Sequence, residues 1–184
     1  MRTCHYYAAV LLYLAAAFAP DAKAQGLPSE DAVKAAYLVK LRHYVEWPPR
    51  VLPPGESRTI IGLVGAEAVF DHLVQMPAVR DPGKAGLTVR RLRLGDSIAG
   101  INILFVDDSV WGRAGAMVSQ AKSQSTLVVS ESDAALYAGS VINFRLVDER
   151  IRFEVSLEAA DKSNLKLSSQ LLTLAMSVIR EQRK

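Results

Sequence analysis

Residues 140–157 read Ser-Val-Ile-Asn-Phe-Arg-Leu-Val-Asp-Glu-Arg-Ile-Arg-Phe-Glu-Val-Ser-Leu and contain two strand-like runs. Ile142, Phe144 and Leu146 alternate with Asn143 and Arg145, while Ile151, Phe153, Val155 and Leu157 alternate with Arg152, Glu154 and Ser156. A period of two places the apolar side chains on one face and the polar ones on the other. Asp148 and Glu149 lie between the runs, so the pattern predicts a short antiparallel hairpin. Apolar positions are even-numbered in the first run and odd-numbered in the second. They share a face only if paired residue numbers sum to an odd number, which a two- or four-residue loop gives. The two-residue loop sets Ile142 against Val155, Phe144 against Phe153 and Leu146 against Ile151. It also sets Arg145 against Arg152, an unfavourable like-charge pair unless an acid or a bound anion joins it. The polar face therefore holds either two solvated arginines with Glu154 nearby, or a surface for a partner or an anion.

After the hairpin, Glu158-Ala-Ala-Asp-Lys predicts a short helix closed by Asn164 in a left-handed cap. Ser168 or Ser169 then caps a final helix with apolar positions Leu171, Leu172, Leu174, Ala175, Val178 and Ile179. Its tail, Arg180, Arg183 and Lys184, suits a helix C-terminus.

Upstream, Ser29 caps a helix whose first turn holds Glu30 and Asp31. Its apolar stripe is Val33, Ala36, Tyr37, Leu41, Tyr44 and Val45, with Lys34, Lys40 and Arg42 outward, and Trp47-Pro48-Pro49 ends it. Thr59–Val64 reads as a buried strand leading to a helix that runs to about Met76. Leu87–Leu94 is a strand with Arg90, Arg91 and Arg93 on a polar face. Ile101–Val106 is a second buried strand, after which Asp107, Asp108 or Ser109 caps a helix through Val118. Thr126–Val129 makes a third buried strand, and Ser130–Asp133 begins a short helical turn before Gly139. Strands alternating with helices imply parallel units, and the hairpin adds an antiparallel pair. The expected fold is α/β: a single domain with a mixed, mostly parallel sheet, helices on both faces and a C-terminal β-hairpin.

Little in the chain resembles catalytic machinery. Gly62-x-x-Gly65 lacks the dinucleotide-binding spacing and reads as a tight strand-to-helix turn. His5, His43 and His72 offer no metal-ligand spacing, and no histidine stands as a base beside a serine. Ser130, Ser132 and the Asp107-Asp108 pair are the loose candidates for chemistry. No cofactor, metal or enzymatic activity is expected. Trp47 and Trp111 are aromatic anchors for an interface or pieces of core.

Met1–Ala24 has the layout of a secretory signal: Arg2, an apolar run from Tyr6 to Phe18, and an Ala22-Lys23-Ala24 cleavage site. The expected mature domain is residues 25–184, located in the periplasm. Removing Arg2, Lys23 and Asp21 from 22 basic and 19 acidic residues leaves 20 and 18, too near neutrality to predict nucleic acid as a partner. Cys4 leaves with the signal, so the mature domain has no disulfide and no thiolate.

Two blocks carry a family resemblance. The run Lys34-Ala-Ala-Tyr-Leu-x-Lys-Leu-x-x-Tyr44-Val-Glu-Trp47-Pro48 is the more specific. The other is Gly139-x-x-Ile-Asn-Phe with Ile151-Arg-Phe-Glu-Val, Ala159-Ala, Leu165-x-Leu-Ser-Ser and Leu171-Leu-x-Leu-Ala. Together they resemble the YfiR/HmsC type of small α/β periplasmic proteins, some of them dimeric. The resemblance implies repression of a membrane diguanylate cyclase through that enzyme's periplasmic sensor domain, which lowers cyclic di-GMP and biofilm output. It further implies an outer-membrane lipoprotein that titrates the repressor, and a homodimer. Members with cysteines use disulfides for stability and redox sensing, which this mature sequence lacks. The resemblance supplies no catalytic residue. The candidate partner surface, taken from the residues themselves, is Glu46, Trp47, Arg145, Arg152 and Glu154. The competing expectation is a small-molecule sensor in which an anionic or nucleotide-like ligand bridges Arg145 and Arg152.

Overall fold

The computed structural model describes residues 28–52, 58–81 and 86–180. The expected signal segment, Arg183 and Lys184 lie outside them. Helix α1 (Glu30–Leu41) begins where Ser29 accepts a hydrogen bond from the Ala32 amide, the cap expected from the sequence. It stops at Leu41, earlier than its apolar stripe suggests, because Val45–Glu46 leave as strand β1 to pair with another segment further on.

Strand β2 (Thr59–Val64) follows, and Gly65 turns the chain at φ +80° into α2 (Glu67–Gln75). A Cβ on Gly65 would stand 2.9 Å from a Val110 methyl and 3.1 Å from Asp107 Cβ, so the tight turn requires glycine. Next come α3 (Pro77–Arg80), β3 (Leu87–Leu92) and β4 (Ile103–Val106). The single helix expected after β4 is two: α4 (Asp108–Trp111) and α5 (Gly115–Ser123). Gly112 and Gly115, poor helix formers, bracket the break. Strand β5 (Leu127–Ser130) and a 3-10 turn (Ala135–Ala138) lead to the hairpin of β6 (Ile142–Val147) and β7 (Arg150–Ser156).

The hairpin register is the one predicted from parity. Ile142 faces Val155, Phe144 faces Phe153, Arg145 faces Arg152 and Leu146 faces Ile151. Asp148 and Glu149 form the two-residue loop, both at positive φ (48° and 57°), as a hairpin turn matched to strand twist demands. Helix α6 (Leu157–Lys162) follows, with Asn164 at φ 55° beyond it. Strand β8 (Lys166–Leu167) then pairs antiparallel with β1.

The last element corrects the sequence reading. Ser168 does cap a helix, α7, but it spans only Ser169–Leu174. Ser177–Ile179, expected as its continuation, is strand β9, parallel to β7. Without β9 the outer groups of β7 would have no partner strand, so Val178 and Ile179 gain more from that ladder than from another helical turn.

The seven-stranded sheet has the order β3-β2-β4-β5-β6-β7-β9, parallel except at the β6–β7 hairpin. One face packs Ile61, Leu63, Phe105, Val129 and Phe144 against α1, α2, α6 and α7. Tyr37 of α1 lies across this face, its ring 5.7 Å from Phe144 and 5.8 Å from Phe153. The opposite face packs Leu104, Val106 and Val128 against Trp111, Met117, Val118 and Ala121 of α4 and α5. Helices thus cover both faces, but α4 and α5 cover only part of theirs. Beyond them, the 3-10 turn packs against the β6–β7 hairpin.

Candidate functional site

In an open, mostly parallel sheet the loops at the carboxyl ends of the strands gather at one edge, where ligands and partners are commonly met. Asp107 follows β4, Glu131 follows β5, and Arg145 stands near the end of β6. Lys34 reaches them from α1. Its Nζ is 2.5 Å from Glu131 Oε2 and 3.7 Å from Asp31 Oδ1, and its side chain is only 12% exposed. The sequence placed Lys34 outward. It sits four residues before Leu38 and seven before Leu41, on the buried side of the helix, where a lysine needs a carboxylate.

Burial works against the Lys34 charge. The hydrogen bond and charge of Glu131, with Asp31 and Glu30, outweigh it and hold the ammonium above the usual lysine range. Glu131 is pushed above the usual carboxylate range, first by burial and then by Asp107, and Lys34 only partly opposes this. Asp107 also accepts from the Ser109 amide at 2.9 Å, which makes it the cap among the three residues the sequence offered, Asp107, Asp108 and Ser109.

Arg145 forms an ion pair with Asp133 and lies 4.0 Å from Glu154, whose other oxygen accepts from the Ser177 hydroxyl at 3.2 Å. The like-charge pair across the hairpin is therefore resolved internally: two acids of the chain join Arg145, while Arg152 projects into solvent. Among the described residues Arg152 makes no ion pair. Glu30, Lys34, Glu131, Asp133, Phe144 and Arg145 line a hollow of about 250 Å³ that opens beside Leu146 and Ile151. Leu146 is 54% exposed at the hairpin tip, despite its place in the apolar alternation.

The remaining sequence candidates lie elsewhere. Glu46 and Trp47 follow the C-terminal end of α1, whereas Lys34 lies near its start. Seven residues separate Lys34 from Leu41, roughly 10 Å of helix, so the Lys34 cluster and Trp47 lie toward opposite ends of α1. Glu46 is exposed, opposite Lys166 in the β1–β8 pair. Trp47 is 6% exposed, its indole N–H has no partner among the described residues, and it belongs to the core beneath α1. Trp111 is core as well. Ser130 is fully buried, donating to the Val106 carbonyl at 2.9 Å and accepting from the Ser132 amide. That geometry withdraws the Ser130 hydroxyl from nucleophilic work.

One polar group was missed altogether. Asn143 is fully buried, and neither polar atom of its side chain has a hydrogen-bond partner among the described residues. It stands between Ser130 of β5 and Glu154 of β7. Its place on the polar side of the alternation and a short helical turn before Gly139 were both visible in the sequence, but the packing of that turn against the hairpin was not.

The sequence profile of the YfiR/HmsC-like family matches residues 31–176. The chain belongs to the YfiR/HmsC-like family. Its members are regulatory proteins that act on partner proteins. No curated protein matches the sequence. Among solved structures, a conserved domain protein from Vibrio cholerae O1 biovar El Tor matches at TM-score 0.53 and 12% identity, over 82% of this chain and 60% of that one. A domain from Streptococcus pneumoniae, titled as an ABC domain in complex with L-Trp, matches at TM-score 0.52 and 15% identity, over 81% and 60%. At these identities the likeness is one of fold alone, and this chain spans 60% of the length of either neighbour.

Proposed function

We propose that this YfiR/HmsC-like protein is exported to the periplasm, where it binds and represses the periplasmic sensor domain of a membrane diguanylate cyclase and so lowers cyclic di-GMP. The reading rests chiefly on family membership across residues 31–176. The signal-like Met1–Ala24 agrees with export. Among the described residues no helix is long and apolar enough to cross a membrane. The accessible members of the candidate surface are Arg152 on the hairpin and Glu46 at the far end of α1; Trp47 serves the core. An outer-membrane lipoprotein is the expected antagonist. The small-molecule reading is weakened by Asp133 and Glu154, which already supply the negative charge that a ligand bridging Arg145 and Arg152 would bring.

The test is binding of the purified mature protein to the periplasmic domains of the host's membrane diguanylate cyclases, with cellular cyclic di-GMP compared with and without the gene. Tight binding to one domain and a rise in cyclic di-GMP on deletion are expected. No binding and no change would overturn the repressor reading.

A further inference from the structure

Strand β9 is the outermost strand of the sheet, paired on one side with β7. Among the described residues no strand meets its other side, so a row of backbone N–H and C=O groups faces outward. Protected edges carry a proline, an inward charge or a bulge. Ser177-Val178-Ile179 contains neither proline nor charge. The approach to it is apolar: Leu174 is 63% exposed and Met176 47%. Two open hollows flank its far end. One, of about 340 Å³, is walled by Ile179, Leu136 and Ala159; the other, of about 370 Å³, by Arg180, Leu157 and Asp161. An unpaired edge beside side-chain hollows is the layout of strand addition, where backbone bonds supply affinity and hollows supply selectivity.

Charge selects the occupant. Arg152 stands two positions before Glu154, the partner of Ser177, and Arg180 directly follows Ile179. Among the described residues neither arginine makes an ion pair. Among the described residues the nearby acids are engaged, Glu154 with Arg145 and the Ser177 hydroxyl, and Glu158 with Lys162, while Asp161 lines the hollow beside Arg180. A second copy meeting this edge would bring its own Arg152 and Arg180 into the same seam, placing like charges together.

We propose that the β9 edge accepts an extended, acidic segment of the protein's partner as an eighth strand, with Arg152 and Arg180 meeting its carboxylates. This rests on the reading of the protein as a partner-binding regulator. Arg152 shares a face with Ser177 and Ile179, while Arg180 falls on the other. The probe is therefore the peptide Glu-Glu-Val-Thr-Val-Glu-Glu, with carboxylates on both faces, and Lys-Lys-Val-Thr-Val-Lys-Lys is the control. Each is titrated into the mature protein while amide hydrogen exchange is followed by NMR. The acidic peptide should slow exchange at residues 177–180 at least tenfold. Arg152→Glu with Arg180→Glu should weaken its binding at least tenfold at unchanged Tm. Equal protection by the lysine peptide, no protection by the acidic one, or protection that rises with protein concentration alone would each overturn the proposal. The cyclase assay separates the two readings. A sensor domain that binds without protecting β9 leaves the repressor and removes the edge. An acidic peptide that protects β9 when no cyclase binds leaves the edge and removes the repressor.

Discussion

The carboxyl ends of β4 to β6 and the outer edge at β9 are both richly charged, yet they are in opposite electrostatic states. At the first, Lys34 meets Glu131, which also faces Asp107, and Arg145 meets Asp133, while Lys34 and Glu131 are largely withdrawn from water. At the second, Arg152 and Arg180 meet solvent. The first is an internal structure of the domain; the second has capacity to spare for a partner. Charge in the sequence therefore says little until it is known which charges neutralise each other. Arg145 and Arg152 make the case, being directly opposed in one ladder, one paired and one not.

If that contrast holds, the largest effect belongs to Lys34. Lys34→Ala leaves Glu131 buried beside Asp107 without its ammonium and should cost about 2–3 kcal/mol in urea denaturation. Arg152→Ala should cost less than about 0.5 kcal/mol in the same assay. Equal losses would erase the distinction between the two regions. Arg145→Glu should be next, at roughly 1–2 kcal/mol, because it adds a third carboxylate to Asp133 and Glu154. Arg152→Glu should leave the urea midpoint nearly unmoved. Asn143→Val removes two buried, unpartnered polar atoms and suits a strand, so it should raise stability by about 1 kcal/mol; a loss would indicate that the amide is satisfied in solution.

The smallest effect is a pH dependence. A carboxyl held above its ordinary pKa binds its proton more tightly in the folded chain than in the unfolded one. Its favourable contribution is therefore complete below the ordinary value near 4.5 and declines as pH rises through the folded value. Asp107→Asn keeps a good helix cap but removes one cause of the Glu131 shift. The stability of the variant relative to the wild type should therefore rise between pH 4.5 and 7. A flat difference would show that Asp107 and Glu131 are not coupled.

Period-two alternation and loop parity sufficed for the hairpin and its register, because a slip of one residue would turn Phe144 and Phe153 toward water. Hydrogen-bonding side chains at Ser29, Asp107 and Ser168 likewise marked helix starts, since those bonds are local. Ser177–Ile179 was misread because apolar residues near a helix end fit either period, and the free edge of β7 that captures them is distant in sequence. Lys34 was misread for a related reason. A lysine on the buried side of a helix is tolerated only when a carboxylate meets it, and Glu131 lies on another element.

By itself, then, the sequence determined the α/β class, the hairpin pairing and the family, all carried by local periodicity and short motifs. Tertiary structure decided that Trp47 is core, that Asp133 and Glu154 neutralise Arg145, and that β9 leaves an open edge. Each of those depends on groups brought together from separate elements, and local sequence cannot specify a distance between them.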